Sequence, residues 1–189
     1  MSIFSRLTSL PMIPHGIAVV AGFFGLGAVQ ARLDALYAQS GHPVDYATGQ
    51  TTFDAAQIKE YYAAMQEGGT LDVYIRTQQF DFLFLATLGL FGLLLGTFIA
   101  RFARVGSWGR WFGGAVAIFA IVGASCDAIE NIWSFVMLAD PQGFAAWLAI
   151  PYSGFAVAKF AAITLAMVSA IIAIGLIAVG RATDRPRLG

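Results

Sequence analysis

Long apolar runs alternate with polar segments along the chain, and this alternation is its strongest pattern. Three of the runs contain stretches of 16 to 21 residues without a charged side chain, close to the roughly 20 residues that cross the hydrocarbon core of a bilayer. A segment in lipid must satisfy its own backbone hydrogen bonds, so these runs are expected to be helical. The predicted spans are residues 14–37, 77–100, 111–138 and 144–180. The pattern predicts an all-α integral membrane four-helix bundle, with residues 1–189 as a single domain.

The first apolar run, residues 16–29, is the shortest of the four. Its length also fits the core of a signal peptide, and the sequence "AVQ" at its end loosely resembles a cleavage site. Pro14 fits the first turn of a helix, and the following "ARLDALY" can continue that helix out of the bilayer. We therefore expect a retained span.

Residues 38–76 form the only long polar segment, and we expect them to be the first loop outside the cytoplasm. The sequence "SGHPVDYATGQ" is typical of an irregular loop. The sequence "TTFDAAQIKEYYAAMQEGG" predicts an amphipathic helix that begins at Thr51 or Thr52 and ends at Gly68. Its apolar side needs a surface to cover, so Tyr61 and Tyr62 should be at least partly buried. We expect this helix to form a lid over the outer ends of the spans.

The distribution of Lys and Arg predicts the orientation, because cytoplasmic loops carry an excess of both. Seven lie at the N-terminus, between the second and third spans, or in the C-terminal tail, and three lie on the opposite side. The seven are Arg6, Arg101, Arg104, Arg110, Arg181, Arg185 and Arg187, and the three are Arg32, Lys59 and Arg76. The count places both termini in the cytoplasm and the protein in the inner membrane as a multi-pass protein.

Composition excludes several classes of function. The chain is 58% hydrophobic and 12% charged, with a formal net charge of zero, so it lacks the basic face that a nucleic-acid partner requires. A single cysteine, Cys126, rules out an internal disulfide and a thiol redox pair. Two histidines are too few for a three-histidine zinc site. We predict no metal site, and the composition points to no particular cofactor.

Each predicted span carries a charged residue at a similar distance from its cytoplasmic end. In each span the charged residue lies 17 to 22 residues from the residue that marks the cytoplasmic end, or roughly 25–33 Å at about 1.5 Å per residue. The four residues are Arg32, Asp81, Asp127 and Lys159. They are predicted to form a charged layer in the outer third of the bilayer.

These charged residues share helix faces with other polar side chains. At about 100° per residue, Asp127, Glu130 and Asn131 fall on one face of the third span. On the first span Arg32 and Asp34 point in different directions, so the two charges cannot both face inward. The candidate site residues are Gln78, Asp81, Asp127, Glu130, Asn131, Tyr152 and Lys159.

A charge in the middle of a bilayer costs roughly 2.5–3.5 kcal/mol or more, so these side chains are expected to turn inward and pair. Lys159 is the single cation available inside the bundle. We predict that it contacts Asp127 or Glu130, with Asp81 as the third candidate. The carboxylates then outnumber the ammonium group, and the surplus negative charge would need a proton.

Gly92 and Gly96 form a small-xxx-small pair in the second span, with Gly89 extending it. Such a pair lets two helices approach closely. In a chain with 21 glycines we interpret it as internal packing rather than as a dimer face.

With these motifs located, the chain resembles a family of small bacterial four-span membrane proteins. The resemblance covers roughly residues 52–165 and rests on "RTQQFDFLF", "CDAIENIWSFVMLADP", the loop helix ending in "YYAAMQEGG" and the lone Lys159. Its two motifs are Gln78-x-x-Asp81-x-x-Phe84 and Asp127-x-x-Glu130-Asn131. The resemblance implies the same architecture and the same polar residues, and it implies no reaction.

The leading functional prediction is a non-enzymatic protein whose polar pocket binds a lipid, a quinone-like molecule or another small amphiphile, or binds a membrane partner as an accessory subunit. A second possibility is a small proton-coupled transporter that uses the carboxylates as a relay. A third is a lipid-modifying enzyme with Asp127 or Glu130 as general acid or base. Two further readings stay open: the charges only fix helix packing, or the layer lies in water.

Overall fold

The computed structural model describes residues 3–183, and all regular structure in that range is helical. The helices are α1 (Ile3–Thr8), α2 (Met12–Gln39), α3 (Tyr46–Gln50), α4 (Ala55–Glu67), α5 (Leu71–Arg101), α6 (Trp108–Leu138) and α7 (Ala149–Thr183), and a 3-10 turn at Ala146–Leu148 precedes α7. Four of them, α2, α5, α6 and α7, are long and apolar enough to cross a membrane. The predicted all-α fold with four spanning helices is confirmed. Arg185 and Arg187, which enter the orientation count, lie outside the described residues.

Two of the predicted span boundaries differ from the observed ones by more than one helical turn. Helix α5 begins at Leu71, inside the segment predicted to be loop, because the chain turns at Gly68 and at Gly69, whose φ is +67°. This early start buries Tyr74 under the outer loop. Helix α7 begins at Ala149 instead of residue 144, after the 3-10 turn.

The four long helices pack as an open row. Helix α6 lies between α5 and α7 and packs extensively on both, while α2 packs mainly against α5. Helices α2 and α7 do not pack extensively on each other. The bundle is therefore open along one side, between α2 and α7.

Glycines hold α5 and α6 close together. A Cβ atom on Gly96 would lie 2.6 Å from the Ala117 nitrogen, and one on Gly92 would lie 2.1 Å from the Ala120 Cβ. On the facing helix, a Cβ on Gly113 would lie 2.8 Å from the backbone of Ala100. The predicted role of Gly92 and Gly96 in internal packing is confirmed.

Large apolar side chains face outward along the four long helices, as lipid contact requires. Examples are Phe24, Ile118 and Ile171, which are 69%, 62% and 71% exposed. Trp108 and Trp111 are 71% and 60% exposed at the start of α6. Exposed indole rings of this kind are typical of helix ends at a membrane–water interface.

The outer loop folds onto the ends of the spans. Helix α4 buries Ile58, Tyr62 and Met65 in an apolar cluster with Met137 and Phe144. The predicted docking of this helix is confirmed. So is the burial of its tyrosines, since Tyr62 is 1% exposed and Tyr61 is half-buried.

The cap of α4 differs from the prediction. Asp54, rather than Thr51 or Thr52, caps the helix by accepting a hydrogen bond from the Ala56 N–H at 2.8 Å. Phe53 adopts φ +55° and donates its backbone N–H to Ser153 Oγ of α7 at 3.1 Å. That bond ties the loop to the fourth span, which explains why the cap of α4 lies two or three residues later than predicted.

Candidate functional site

The predicted ion pair is present, and Lys159 contacts both leading candidates at once. Its ammonium nitrogen lies 2.6 Å from Asp127 Oδ1 and also donates to Glu130 Oε2. The three side chains are 5%, 5% and 0% exposed, respectively. Asp127 and Glu130 are three residues apart on α6, so both carboxylates project from one face and reach the same cation.

Asp81 is held by an amide group rather than by Lys159. Its Oδ2 accepts a hydrogen bond from Asn131 Nδ2 at 2.6 Å. The amide group of Gln78 donates to Asn131 Oδ1 at 3.2 Å and to Ser134 Oγ at 2.9 Å. All of these side chains are buried, so a continuous polar network joins α5 to α6. That these residues bind a ligand remains a prediction.

This ionic cluster, which we define as Asp81, Asp127, Glu130 and Lys159, contains more negative than positive groups. Three carboxylates and one ammonium give a formal charge of 1 − 3 = −2. The Oε1 atom of Glu130 is fully buried and has no hydrogen-bond partner. Buried carboxylates without compensation are costly, so the cluster requires a proton or a cationic group in addition to Lys159.

A partly open cavity of about 170 Å³ lies beside the cluster and is formed by α2, α3, α5, α6 and α7. Its lining residues are Gln30, Leu33, Tyr46, Gln50, Gln78, Asp81, Phe84, Asp127, Lys159, Phe160 and Ile163. The wall combines polar and charged side chains with leucine, phenylalanine and isoleucine. Glu130 and Asn131 do not line the cavity; they lie behind it and hold Lys159 and Asp81.

Helix α3, rather than the predicted lid helix α4, covers the cavity, and we call this covering segment the roof of the cavity. Tyr46 and Gln50 of α3 line the cavity, whereas α4 covers the neighbouring apolar cluster. Asp45 caps α3 by accepting the Thr48 N–H at 3.0 Å. A helix of five residues leaves no periodic signal, which is why the segment reads as an irregular loop.

Tyr46 is fixed over the cavity by two contacts to α2. Its ring stacks on Tyr37 with a centroid distance of 3.8 Å, and its hydroxyl donates to the Leu33 carbonyl at 3.2 Å. Burial, and next the charge of Asp34, raise the pKa of Tyr46 well above its usual range. The hydroxyl therefore stays protonated and keeps its hydrogen bond to the Leu33 carbonyl.

His42 supports the same segment. Its ring lies between aromatic neighbours, with centroids 5.2 Å from Tyr37, 5.1 Å from Tyr61 and 5.4 Å from Tyr74. Burial lowers the pKa of His42 below its ordinary value. The neutral imidazole is the form that fits this aromatic stack.

Two residues named in the sequence analysis are not brought to the cavity. Arg32 does not join the charged layer; it is exposed, and Leu33 takes the inward position on α2. Tyr152 does not line the cavity but lies in the apolar cluster with Tyr62 and Tyr74. Helical phase says which side chains share a face, but it does not say which face of a helix turns toward its neighbours.

The cavity also contains residues that the sequence reasoning missed. Gln30, Leu33, Gln50, Phe84, Phe160 and Ile163 belong to this group. Gln30 donates to Asp34 Oδ1 at 2.6 Å, a spacing of four residues that is visible in the sequence. The apolar members resemble any lipid-facing side chain, so no sequence signal separates them.

Among residues 3–183, no group of three or more His, Cys, Asp or Glu side chains is arranged to hold a metal ion. Comparisons with protein-family models, with curated proteins and with solved structures found no match to this chain. The resemblance to small four-span bacterial proteins therefore remains a prediction, and the functional argument rests on the site.

Proposed function

We propose that this protein is a non-enzymatic membrane protein that binds the polar head of a membrane amphiphile, such as a lipid, in the cavity beside the ionic cluster. One observation carries the proposal: a single cavity is lined both by charged residues of the ionic cluster and by apolar side chains, and it takes its wall in part from α2 and α7, which do not pack extensively on each other. An amphiphile in the bilayer needs this combination, because its head seeks polar partners while its tail stays in lipid.

The size of the cavity supports a head group rather than a whole ligand. Pockets that enclose drug-sized molecules have volumes of about 300–1,000 Å³, and this cavity measures about 170 Å³. Only part of an amphiphile fits inside. Phe160, which lines the cavity and is 36% exposed, lies where the remaining tail would leave along α7.

Hydrogen-bonding groups of both kinds face the cavity. Lys159 and the amide group of Gln50 can donate, and the carboxylate of Asp81 can accept. Ionisable residues at this depth are expensive and mark functional sites more often than packing. The site can therefore orient a head group that carries both donors and acceptors.

The alternative functions find less support. Between the ionic cluster and His15, the described inner halves of the spanning helices contain no Asp, Glu, Lys, Arg or His, and close glycine packing joins α5 to α6 there. A proton relay across the membrane lacks residues on that side. A lipid-modifying reaction would need a nucleophile or a bound metal beside Asp127 and Glu130, and no observation supplies one.

A photocrosslinking experiment tests the proposed binding. Phe84 lines the cavity, whereas Phe82, on the same helix, is 39% exposed and stacks on Phe135. With benzoylphenylalanine at position 84, we expect irradiation of membranes to yield one dominant lipid or amphiphile adduct. With the same group at position 82, the adducts should follow the bulk lipid composition. Mass spectrometry of the adducts provides the measurement.

Asp81→Asn provides the second arm, since it removes a charge that faces the cavity. We expect it to reduce the dominant adduct at position 84 and to leave the adducts at position 82 unchanged. Asp72→Asn is the matched control, because Asp72 lies on the same helix but pairs with Arg76 at the surface. Adducts that follow the bulk lipid composition at both positions would refute the proposal. A protein crosslinked at position 84 would favour the role of an accessory subunit instead.

The proposed orientation places both termini in the cytoplasm of the cell and residues 38–76 outside the inner membrane, supported by the excess of arginine at one end. Single cysteines at Ala47 and Val105 test it in a Cys126→Ala background, since Ala47 is exposed and Val105 is 86% exposed. An impermeant thiol reagent should label position 47 in intact spheroplasts and position 105 only after lysis. The opposite labelling would reverse the orientation.

A further inference from the structure

A second cavity lies at the opposite end of the bundle from the ionic cluster. It measures about 270 Å³ and is formed by the α5–α6 connection, the start of α6 and the end of α7. Its lining residues are Phe102, Ala103, Arg104, Ser107, Trp108, Gly109, Leu176, Ile177, Gly180 and Arg181. The proposed amphiphile site does not include any of these residues.

The depth of this second cavity is that of the lipid head groups. Trp108 lines it and is 71% exposed, and Trp111, one turn further, is 60% exposed. Tryptophan at such positions lies at the boundary between hydrocarbon and head groups. The apolar part of the wall, Leu176 and Ile177, continues from there into the membrane along α7.

Among residues 3–183, the charged side chains around the second cavity are all basic. Arg104 and Arg181 line it, and Arg6, Arg101 and Arg110 lie at the same end of the bundle. Every Asp and Glu among residues 3–183 lies in the ionic cluster or on the loop side of it. No Asp or Glu side chain in the described part of this end can therefore pair with the amine of a lipid head group.

The guanidinium of Arg181 has a defined geometry. It lies over the ring of Phe102 at 5.4 Å from the centroid. Stacking occupies the flat face of the guanidinium and leaves the N–H groups at its edge available, and these match the oxygens of a phosphate. The hydroxyl of Ser107 is a further polar group in the same wall.

We propose that this cavity binds the phosphate group of an anionic phospholipid, with Arg181 as the main contact. A zwitterionic lipid carries the same phosphate, but its cationic head group meets only positive charge among the described residues of this end. Basic pockets between spanning helices favour anionic head groups for this reason. The inference is independent of the proposed amphiphile site, because the two cavities share no residue.

Quenching of tryptophan fluorescence by brominated lipids tests the proposal. The protein W111F/W133F/W147F retains Trp108 as its single tryptophan and is reconstituted in phosphatidylcholine nanodiscs. We expect brominated phosphatidylglycerol to quench Trp108 more strongly than brominated phosphatidylcholine at the same mole fraction. Arg181→Gln should lower the preference for phosphatidylglycerol about fivefold, because one arginine near an anionic surface contributes about 1 kcal/mol.

Arg6→Gln is the matched control, since Arg6 lies at the same end but does not line the cavity. It should leave the preference for phosphatidylglycerol almost unchanged. Equal quenching by the two lipids, or an equal loss in both arginine variants, would overturn the proposal. A preference that disappears on adding inorganic phosphate would also overturn it, because the site would then bind free phosphate instead of a lipid. Arg181 is exposed, so the folded state should tolerate its replacement.

Discussion

Replacing Lys159 with methionine is expected to lower the free energy of unfolding by about 3–5 kcal/mol, the usual cost of removing one partner from a buried ion pair. The ammonium of Lys159 is the one cation in contact with both Asp127 and Glu130, and their side chains are 5% and 0% exposed. Methionine fills a similar volume, so the loss comes from the two stranded carboxylates. Unfolding in detergent, followed by circular dichroism as denaturant is added, measures the loss.

Arg76→Gln is the control for Lys159→Met. Arg76 pairs with Asp72 at 2.6 Å, but the two side chains are 68% and 59% exposed. Exposed pairs of this kind contribute about 0–1 kcal/mol, so this variant should unfold almost like the parent protein. Equal stability of Lys159→Met and Arg76→Gln would contradict the electrostatic role of the ionic cluster.

Removing all three charges separates a structural role from a binding role. In K159M/D127N/E130Q no partner is left charged and unpaired, so we expect most of the lost stability to return. If the ionic cluster only fixes helix packing, the triple variant should also recover function. If the cavity binds an amphiphile as proposed, the triple variant should fold and yet lose the dominant adduct at position 84.

The contact between Lys159 and the two acids of α6 is predictable from sequence because three simple facts agree. A charge in lipid must turn inward, the rise of the helix sets its height, and the spacing of Asp127 and Glu130 places both on one face. The same reasoning selects Gln78, Asp81 and Asn131 as candidate site residues, but it gives Asp81 as a third partner for Lys159 and does not predict the amide link through Asn131. The Lys159 contact is decided by constraints within single helices plus the need to pair.

The position of α2 is not predictable in this way. Gly22 of α2 approaches Phe91 of α5, where an added Cβ would lie 3.4 Å from the ring, and this packing turns Leu33 inward and leaves Arg32 exposed. Both residues lie at a suitable height. Only the contact of α2 with α5 decides which of the two residues faces inward, and this contact depends on the shapes of both helix surfaces. The opening between α2 and α7 follows from the same contact.

The roof of the cavity shows a second limit. Tyr46 and Gln50 are positioned by contacts between distant parts of the chain, such as the stacking of Tyr46 on Tyr37. A five-residue helix has too few turns to show hydrophobic periodicity. By contrast α4 has 13 residues and a clear apolar side, so its docking is predictable, although its place beside the cavity is not.

Glycine at position 96 is expected to be essential for the packing of α5 on α6. In Gly96→Ala the new methyl group would lie 2.6 Å from both the Ala117 nitrogen and the Gly113 oxygen. These are backbone atoms of a long helix and cannot rotate away, so the two helices must separate. Overpacking of this kind costs about 1–3 kcal/mol and occasionally more. The same unfolding measurement in detergent should show the loss.

Gly89→Ala is the matched control for Gly96→Ala, because it adds the same methyl group to the same helix two turns earlier. There the nearest atom is the Ala124 Cβ at 3.8 Å, an ordinary contact. Alanine also favours a helix over glycine by up to about 1 kcal/mol, so Gly89→Ala should be neutral or stabilising. If instead the glycines formed a dimer face, Gly96→Ala would shift the protein from dimer to monomer while leaving its unfolding unchanged. Since Gly92 and Gly96 are buried against α6 within one chain, we expect the loss in unfolding and no change in oligomeric state.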